Sequence, residues 1–364
     1  MKSTFSQCFS DPCVYFKKIE DAWCIVSTHV DDIFVLFNPK GKLIRDELFT
    51  NISKSIEIEN LGPVSWALKT SILRDREAGV LKISQEAFIN ALLKKHNIEA
   101  EKPQLVPSSD VLFDSKLNNE EDNKIDESLK RNFQSIIGAL WWLTSISRPD
   151  IYYAVHRASK MQNAPNMLLK KCLDKILLYL STTKHIGIIY QRKTMNIDNF
   201  SGFVDASFAC EKDNASRIGY FYLLRGNLIS WASETPVRTV TSSTEAECQG
   251  LVYFAKENVW QRKLHKELRL YSIEAPTKVY EDNAAAILMS NSPGISHKRS
   301  KHFDIEFSYF KQSVSLNEIK PIFVPTDQQP ADMLTKTLLP SKFIEFRDMM
   351  MGNDVLQRHF QKSR

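Results

Sequence analysis

From Phe200 to about Thr337 the chain alternates in a way that leaves few architectures open. Three β-rich segments come first: FSGFVDA, IGYFYLLRG and LISWASE. A long helical stretch follows, from about Thr244 to Leu270. Then come the strand TKVYED, a short helix from Asn283, a helix after Ser300, the strand IKPIFVP and a last helix at Gln329. Strands first, then alternating helix and strand, predict a mixed five-stranded sheet with helices packed on it, an α/β (α+β) class.

The front half reads differently. CVYFKKI, AWCIVSTHV and DIFVLFN are β-rich, and Pro39-Lys40-Gly41 breaks the pattern before a helical stretch from Lys42 to about Ile56. A second strand pair turns at Glu77-Ala78-Gly79, and SQEAFINALLKKHNI has the apolar spacing of a short amphipathic helix. Residues 103–130 are polar and hold two prolines, which reads as a loop or linker. Helices are expected over Leu129–Thr144, from Pro149 to about Met161, and over NMLLKKCLDKILLYLSTT, followed by the strand IGIIYQR. There are no internal repeats. The divisions that follow are 1–102, 103–195, 196–340 and a C-terminal tail over 341–364.

Composition limits the function classes. Hydrophobic residues at 43% and charged residues at 25% belong to a folded protein, and a net charge of +5 permits a nucleic-acid partner without requiring one. The cysteines at 8, 13, 24, 172, 210 and 248 form no CxxC pair and no zinc-ligand spacing with histidine. Scattered thiols fit a reducing, intracellular setting. The opening MKSTFSQCFSDP has no apolar core, so a signal peptide is not expected. The most apolar run, IIGALWWLTSI, is about half the length that spans a bilayer, so no membrane partner is expected.

Acidic residues stand at chosen places in the back half. Asp205 ends the first strand and Asp282 the fourth, Glu245 and Glu247 open the long helix, and Asp332 opens the last helix. Carboxylates at strand ends and helix starts can converge on one sheet edge and hold hard divalent cations through oxygen. Local structure explains the same residues equally well. Strand-end aspartates favour turns, Ser242 with Glu245 and Thr244 with Glu247 both fit a capping box, and Asp332 suits a helix N-terminus. Periodicity does not choose between Glu245 and Glu247, because both flank the apolar stripe of Cys248, Leu251, Val252, Ala255 and Val259.

Longer motifs narrow the choice. SGFVDASFACEKDNASRIGYFYLLRGNLISWASETPVRTVTSSTEAEC, VYEDNAAAILMSNSPGISHKRSKHFDIEF and IFVPTDQQPADMLTKTL resemble the ribonuclease H domain of copia-type retrotransposon Pol polyproteins. The resemblance implies a ribonuclease H-like sheet over 196–340 and two Mg²⁺ ions, with Mn²⁺ as an alternative, held by Asp205, Glu247, Asp282 and Asp332. Glu245 is then left to cap the helix. The implied substrate is RNA paired to DNA, and basic residues must track its phosphates. His297, Lys298, Arg299, Lys301 and His302, in SHKRSKH, match a similar family stretch. A mobile histidine that many ribonucleases H carry before the last aspartate is absent from IFVPTDQQPAD, which leaves proton transfer to water or another group.

The front half shares the resemblance. STHVDDIFVLF is similar to the Tyr-Val-Asp-Asp hairpin of reverse transcriptase palms, which makes Asp31 and Asp32 two of three polymerase carboxylates. ENLGPVSWALKTSILRDREAGVLKISQEAFINALLKKHNI and SIIGALWWLTSISRPDIYYAVHRASKMQNAP also fit the copia-type polymerase. A partial palm over 1–102 and a helical thumb or connection over 103–195 are implied. His29 stands where the family has an aromatic residue, and Lys69 where it usually has glycine. The third carboxylate and the fingers lie upstream in the family, so no DNA polymerase activity is expected from this chain alone. Three readings stay open: a ribonuclease H attached to an incomplete reverse transcriptase, a non-catalytic nucleic-acid-binding remnant, and a fragment of a full polymerase with a missed N-terminus. Other parts of the same polyprotein are the implied protein partners.

Overall fold

Short turns between consecutive β-rich segments dictate antiparallel pairing at the front of the chain. The computed structural model shows β1 (Ser6–Gln7), β2 (Val14–Ile19), β3 (Ala22–His29) and β4 (Asp32–Phe37) as a four-stranded sheet in chain order. Cys24 and Val26, two apart on β3, face the same side, where they meet Phe5 and, from α1 (Lys42–Ser53), Ile44 and Leu48. The structure describes residues 5–99, 103–109, 127–192, 199–210, 214–270, 272–291 and 301–353, with backbone alone for 127–128 and 301–305.

The chain divides into two units, Met1–Val64 with Lys256–Ala275, and Ser65–Ala255 with Pro276–Arg364. In the first, Glu267 accepts the Phe9 N–H at 2.6 Å and Trp260 Nε1 donates to the Ser10 carbonyl at 3.1 Å. These contacts tie residues distant in sequence to the front sheet.

The second unit begins with β5 (Trp66–Ala67), β6 (Thr70–Asp75) and β7 (Val80–Ser84). Asp75 Oδ1 accepts the Glu77 and Ala78 N–H groups, and Gly79 takes φ +67°, so the turn between β6 and β7 lies where the sequence places it. Four helices follow: α2 (Glu86–Lys95), α3 (Glu127–Ile146), α4 (Tyr152–Ser159) and α5 (Met167–Thr183). On α5, Leu169, Leu173, Ile176, Leu177 and Leu180 recur at helical spacing and are buried, and Asn166 caps the start by accepting the Leu169 N–H at 3.0 Å. Pro149 opens a 3-10 turn, Pro149–Ile151, ahead of α4 rather than one continuous helix. β8 (Ile188–Gln191) then pairs antiparallel with β7.

The five-stranded mixed sheet expected from sequence is present. β9 (Phe200–Ser207), β10 (Arg217–Leu224) and β11 (Asn227–Glu234) are antiparallel, and β12 (Thr277–Glu281) and β13 (Ile319–Phe323) add in parallel, in the order β11-β10-β9-β12-β13. α6 (Ser243–Leu268) follows β11, and α7 (Ala284–Asn291) and α8 (Lys301–Ser315) separate β12 from β13. The last expected helix is a 3-10 segment, Pro330–Leu334. The stretch assigned to a tail forms α9 (Pro340–Met351), whose Phe343, Phe346, Met350 and Met351 are buried, and Gly352 closes it at φ +74°. Interspersed charges hide that apolar spacing from a linear reading.

The helices before residue 195 and the sheet after it share one core. Leu140, Val155 and Leu180 belong to the same buried cluster as Phe203, Phe221 and Phe346. Trp231 Nε1 on β11 donates to the Thr144 carbonyl at 2.8 Å. Beneath this core, Arg148 and Asp150 form a buried pair: Nε and Nη2 donate to the two carboxylate oxygens at 2.9 and 2.7 Å. Arg148 also donates to the carbonyl and hydroxyl of Thr183, and the Tyr179 hydroxyl donates to Asp150 at 2.6 Å. Burial alone raises the Asp150 carboxyl, but Arg148 outweighs it and the net direction is down. Arg148→Met should therefore cost about 3–5 kcal/mol, because it leaves the Asp150 charge buried without its partner. Urea unfolding of parent and variant measures this, and a loss within about 1 kcal/mol would show that the pair does not hold the helices together.

Candidate metal centre

A parallel strand pair sets the centre. β9 and β12 are neighbours in register Val279↔Gly202 and Tyr280↔Phe203, and continuing it puts Asp282 level with Asp205. Asp205 is buried on β9, and Asp282, just past β12, is partly exposed. α6 must come close for Glu247 to join them. A Cβ on Gly202 would lie 2.3 Å from the Phe254 ring, and one on Gly250 would lie 2.8 Å from Val204, so both glycines allow that approach. Glu247 accepts the Ala206 N–H, which pins it to β9.

The neighbouring glutamate does something else. Glu245 Oε2 accepts the Thr241 N–H at 2.7 Å and its hydroxyl at 2.9 Å, and the Glu245 N–H donates to Ser242 Oγ at 3.2 Å. Glu245 caps the helix and Glu247, two residues on, turns inward.

Asp332 arrives on the 3-10 segment, which Gln329 anchors. Gln329 Nε2 donates to the carbonyls of Val204 at 2.8 Å and Tyr280 at 3.4 Å, bridging β9 and β12. The Thr335 hydroxyl donates to Asp205 Oδ2, and Lys336 Nζ sits 2.7 Å from Asp332 Oδ1. Asp205, Asp282 and Asp332 each offer an oxygen within 4.8 Å of the others, and Glu247, Glu281 and Asp282 do the same. The structure thus brings together Asp205, Glu247, Asp282 and Asp332, and adds Glu281.

The electrostatics follow from packing acids out of water. Burial is the largest cause of the raised Glu247 carboxyl, with Glu281, Asp205 and Asp282 adding to it. Burial likewise lifts Glu281 well above the usual carboxylate range, against the Asn283 N–H, and Asp205 and Asp282 raise it further. Burial raises Asp205 despite Lys336 and Thr335. Asp332 is pushed up to about 7 by burial and then by Asp205, with Lys336 opposing. Glu247 Oε2 and Glu281 Oε2 are buried with no hydrogen-bond partner. A carboxylate-only donor set with unsatisfied buried oxygens fits hard divalent cations such as Mg²⁺.

Sequence reasoning missed Glu281, Gln329, Thr335 and Lys336. A signal existed for Glu281, since it alternates with the buried Thr277 and Val279 along β12. Asp31 and Asp32 are exposed at the β3–β4 hairpin, where His29 pairs with Asp32, and no metal-holding group among the described residues includes them. His297, Lys298 and Arg299 lie outside the described residues. Lys301 and His302 begin α8, and their side chains also lie outside the described set.

A raised carboxyl gives the sign of a pH effect. Asp332 keeps its proton in the fold up to about 7, against 3.8 for an ordinary aspartate, so the fold binds more protons than the unfolded chain between those values. Without divalent cation, its contribution to stability is full below that window and is lost as pH rises through it. Thermal melts at about pH 5 and about pH 8, with EDTA and with Mg²⁺, check this: Mg²⁺ should stabilise more at the higher pH. Equal stabilisation at both would separate the cluster from metal binding.

No family model matches the chain. Over 347 residues, 94% of its length, the chain is 31% identical to the Retrovirus-related Pol polyprotein from transposon TNT 1-94 of Nicotiana tabacum, of which it covers 26%. It is 30% identical over 320 residues to the Retrovirus-related Pol polyprotein from transposon RE1 of Arabidopsis thaliana, covering 87% of this chain and 21% of that one. Among solved structures, LC11-RNase H1, isolated from compost, matches at a TM-score of 0.30 and 14% identity, covering 38% of this chain and 94% of that chain. The chain spans about a quarter of the length of the curated relatives it matches. With a match along nearly its whole length, the chain belongs to the copia-type retrotransposon Pol polyproteins.

Proposed function

We propose that this chain is a ribonuclease H that hydrolyses the RNA strand of RNA–DNA hybrids. The observation that carries the reading is the convergence of Asp205 from β9, Asp332 from the 3-10 segment and Asp282 from just past β12 in one group of oxygens, with Glu247 of α6 in a second group that shares Asp282. Two Mg²⁺ ions bound by these carboxylates would activate a water and stabilise the leaving oxygen of a phosphodiester. The residues' own part is to position and to carry charge. Thr335 orients Asp205, Lys336 balances Asp332, and Glu247 is fixed against β9 by the Ala206 N–H. The order of the sheet, three antiparallel strands followed by two parallel ones, supports the ribonuclease H-like assignment of 196–340.

The basic stretch His297, Lys298, Arg299, Lys301 and His302 is assigned to the hybrid's phosphates on its sequence spacing and its place ahead of and at the start of α8. Residues 1–102 are read as a palm remnant and 103–195 as a thumb or connection. Asp31 and Asp32 are a pair without a third carboxylate in metal-holding distance among the described residues, so DNA polymerisation is not assigned.

The test is cleavage of a labelled RNA–DNA hybrid by the full chain, with Mg²⁺ and with EDTA. The isolated segment 195–340 is unsuitable, because its core continues into α3, α5 and α9. Metal-dependent cutting of the RNA strand is expected. Asp205→Asn, which keeps shape and removes a charge, should slow it by at least about 100-fold, since even partners that only orient a metal ligand are worth roughly 10- to 100-fold. A variant that cuts as fast as the parent would remove Asp205 from the site. No cutting by the folded parent would put the binding-remnant reading first.

A further inference from the structure

We propose that Glu281 is itself a metal ligand and completes a second cation pocket with Glu247 and Asp282. The two groups of oxygens, Asp205–Asp282–Asp332 and Glu247–Glu281–Asp282, share only Asp282. The first has a cation of its own, because Lys336 reaches Asp332. In the second, Asp282 also feels Lys336, but among the described residues neither Glu247 nor Glu281 has an ion-pair partner.

The state of Glu281 marks it as a ligand. It is fully buried. One oxygen accepts the Asn283 N–H at 3.0 Å, and the other has no hydrogen-bond partner. Glu247 Oε2 is in the same condition, so two unsatisfied carboxylate oxygens belong to one pocket. A buried acid normally has a basic neighbour or several donors. Here the charged groups that act on it are other acids, Asp205 and Asp282. Strand geometry turns residue 281 inward with Thr277 and Val279, and an apolar side chain satisfies such a position, as Val279 does. An acid there is costly unless a cation shares it. Three carboxylates and no nitrogen or sulfur ligand select a hard divalent ion: Mg²⁺, Mn²⁺ or Ca²⁺.

The inference rests on the metal-centre reading proposed above, and binding rather than cleavage tests it. Mn²⁺ is titrated calorimetrically into the full chain and into Glu281→Gln, with melts confirming that both are folded. The parent should take up two ions. Glu281→Gln should keep one at parental affinity and weaken the other at least tenfold. Hybrid cleavage is measured alongside. Two ions bound equally by parent and variant would overturn the role of Glu281 while leaving the nuclease reading intact. A folded parent that binds no Mn²⁺ would overturn both. If the parent binds a single ion, a tenfold loss in the variant supports the assignment and an unchanged affinity refutes it. Should the glutamine variant not fold, Glu281→Asp keeps the charge and withdraws the oxygen by one methylene. The same weakening is then expected, and parental affinity refutes the proposal.

Discussion

Like charges held out of water repel one another more strongly than they do in solution, so a carboxylate cluster exists only where the backbone leaves it no alternative. The rest of the second unit can be understood as the means of enforcing that. Parallel pairing of β9 with β12 sets Asp205 beside Asp282. Gln329 bonds both strands at once, so the 3-10 segment carrying Asp332 cannot drift from them. Small residues let α6 approach β9, and the Ala206 N–H fixes Glu247 at the end of that approach. Each acid is placed by main-chain geometry, which is much stiffer than a side-chain rotamer.

A stiff sheet needs something to be stiff against. The helices α3 to α5 and the terminal α9 share a single core with β9, β10 and β11, and the Arg148–Asp150 pair, with Tyr179 and Thr183, joins the end of α3 to the end of α5. Tyr179 also receives a hydrogen bond from Arg347 of α9. A buried pair of this kind is a poor source of net stability but tolerates few arrangements. The helical layer therefore constrains the carboxylate sheet.

Much of this was legible in the sequence, and what was not has physical causes. Asp205 and Asp282 stand at the ends of β-rich runs, and that placement is local information. The choice between Glu245 and Glu247 was not local, since both fit a capping box. It is decided by Thr241 and Ser242 on one side and the Ala206 N–H on the other. Glu281 was readable through period-2 alternation but was masked by the more familiar aspartate beside it. Gln329, Thr335 and the β7–β8 pairing depend on contacts more than a hundred residues apart, which no window of sequence contains. α9 was missed because its apolar positions are interspersed with charge.

The cluster also gives the means by which a divalent cation would couple to the fold. Glu247 and Glu281 have oxygens whose water was removed on folding and not replaced by any donor. That loss belongs to the folded state alone. A divalent ion bound by the native chain and not by the unfolded one restores it, and mass action then favours the fold in proportion to RT ln(1 + [L]/Kd). Lys336 offsets part of the repulsion near Asp332, where the acid is reached by an ammonium group. No such group reaches the two glutamates among the described residues. The two pockets therefore differ in how much of their acidity the fold itself offsets, and Asp282 is the one carboxylate they share.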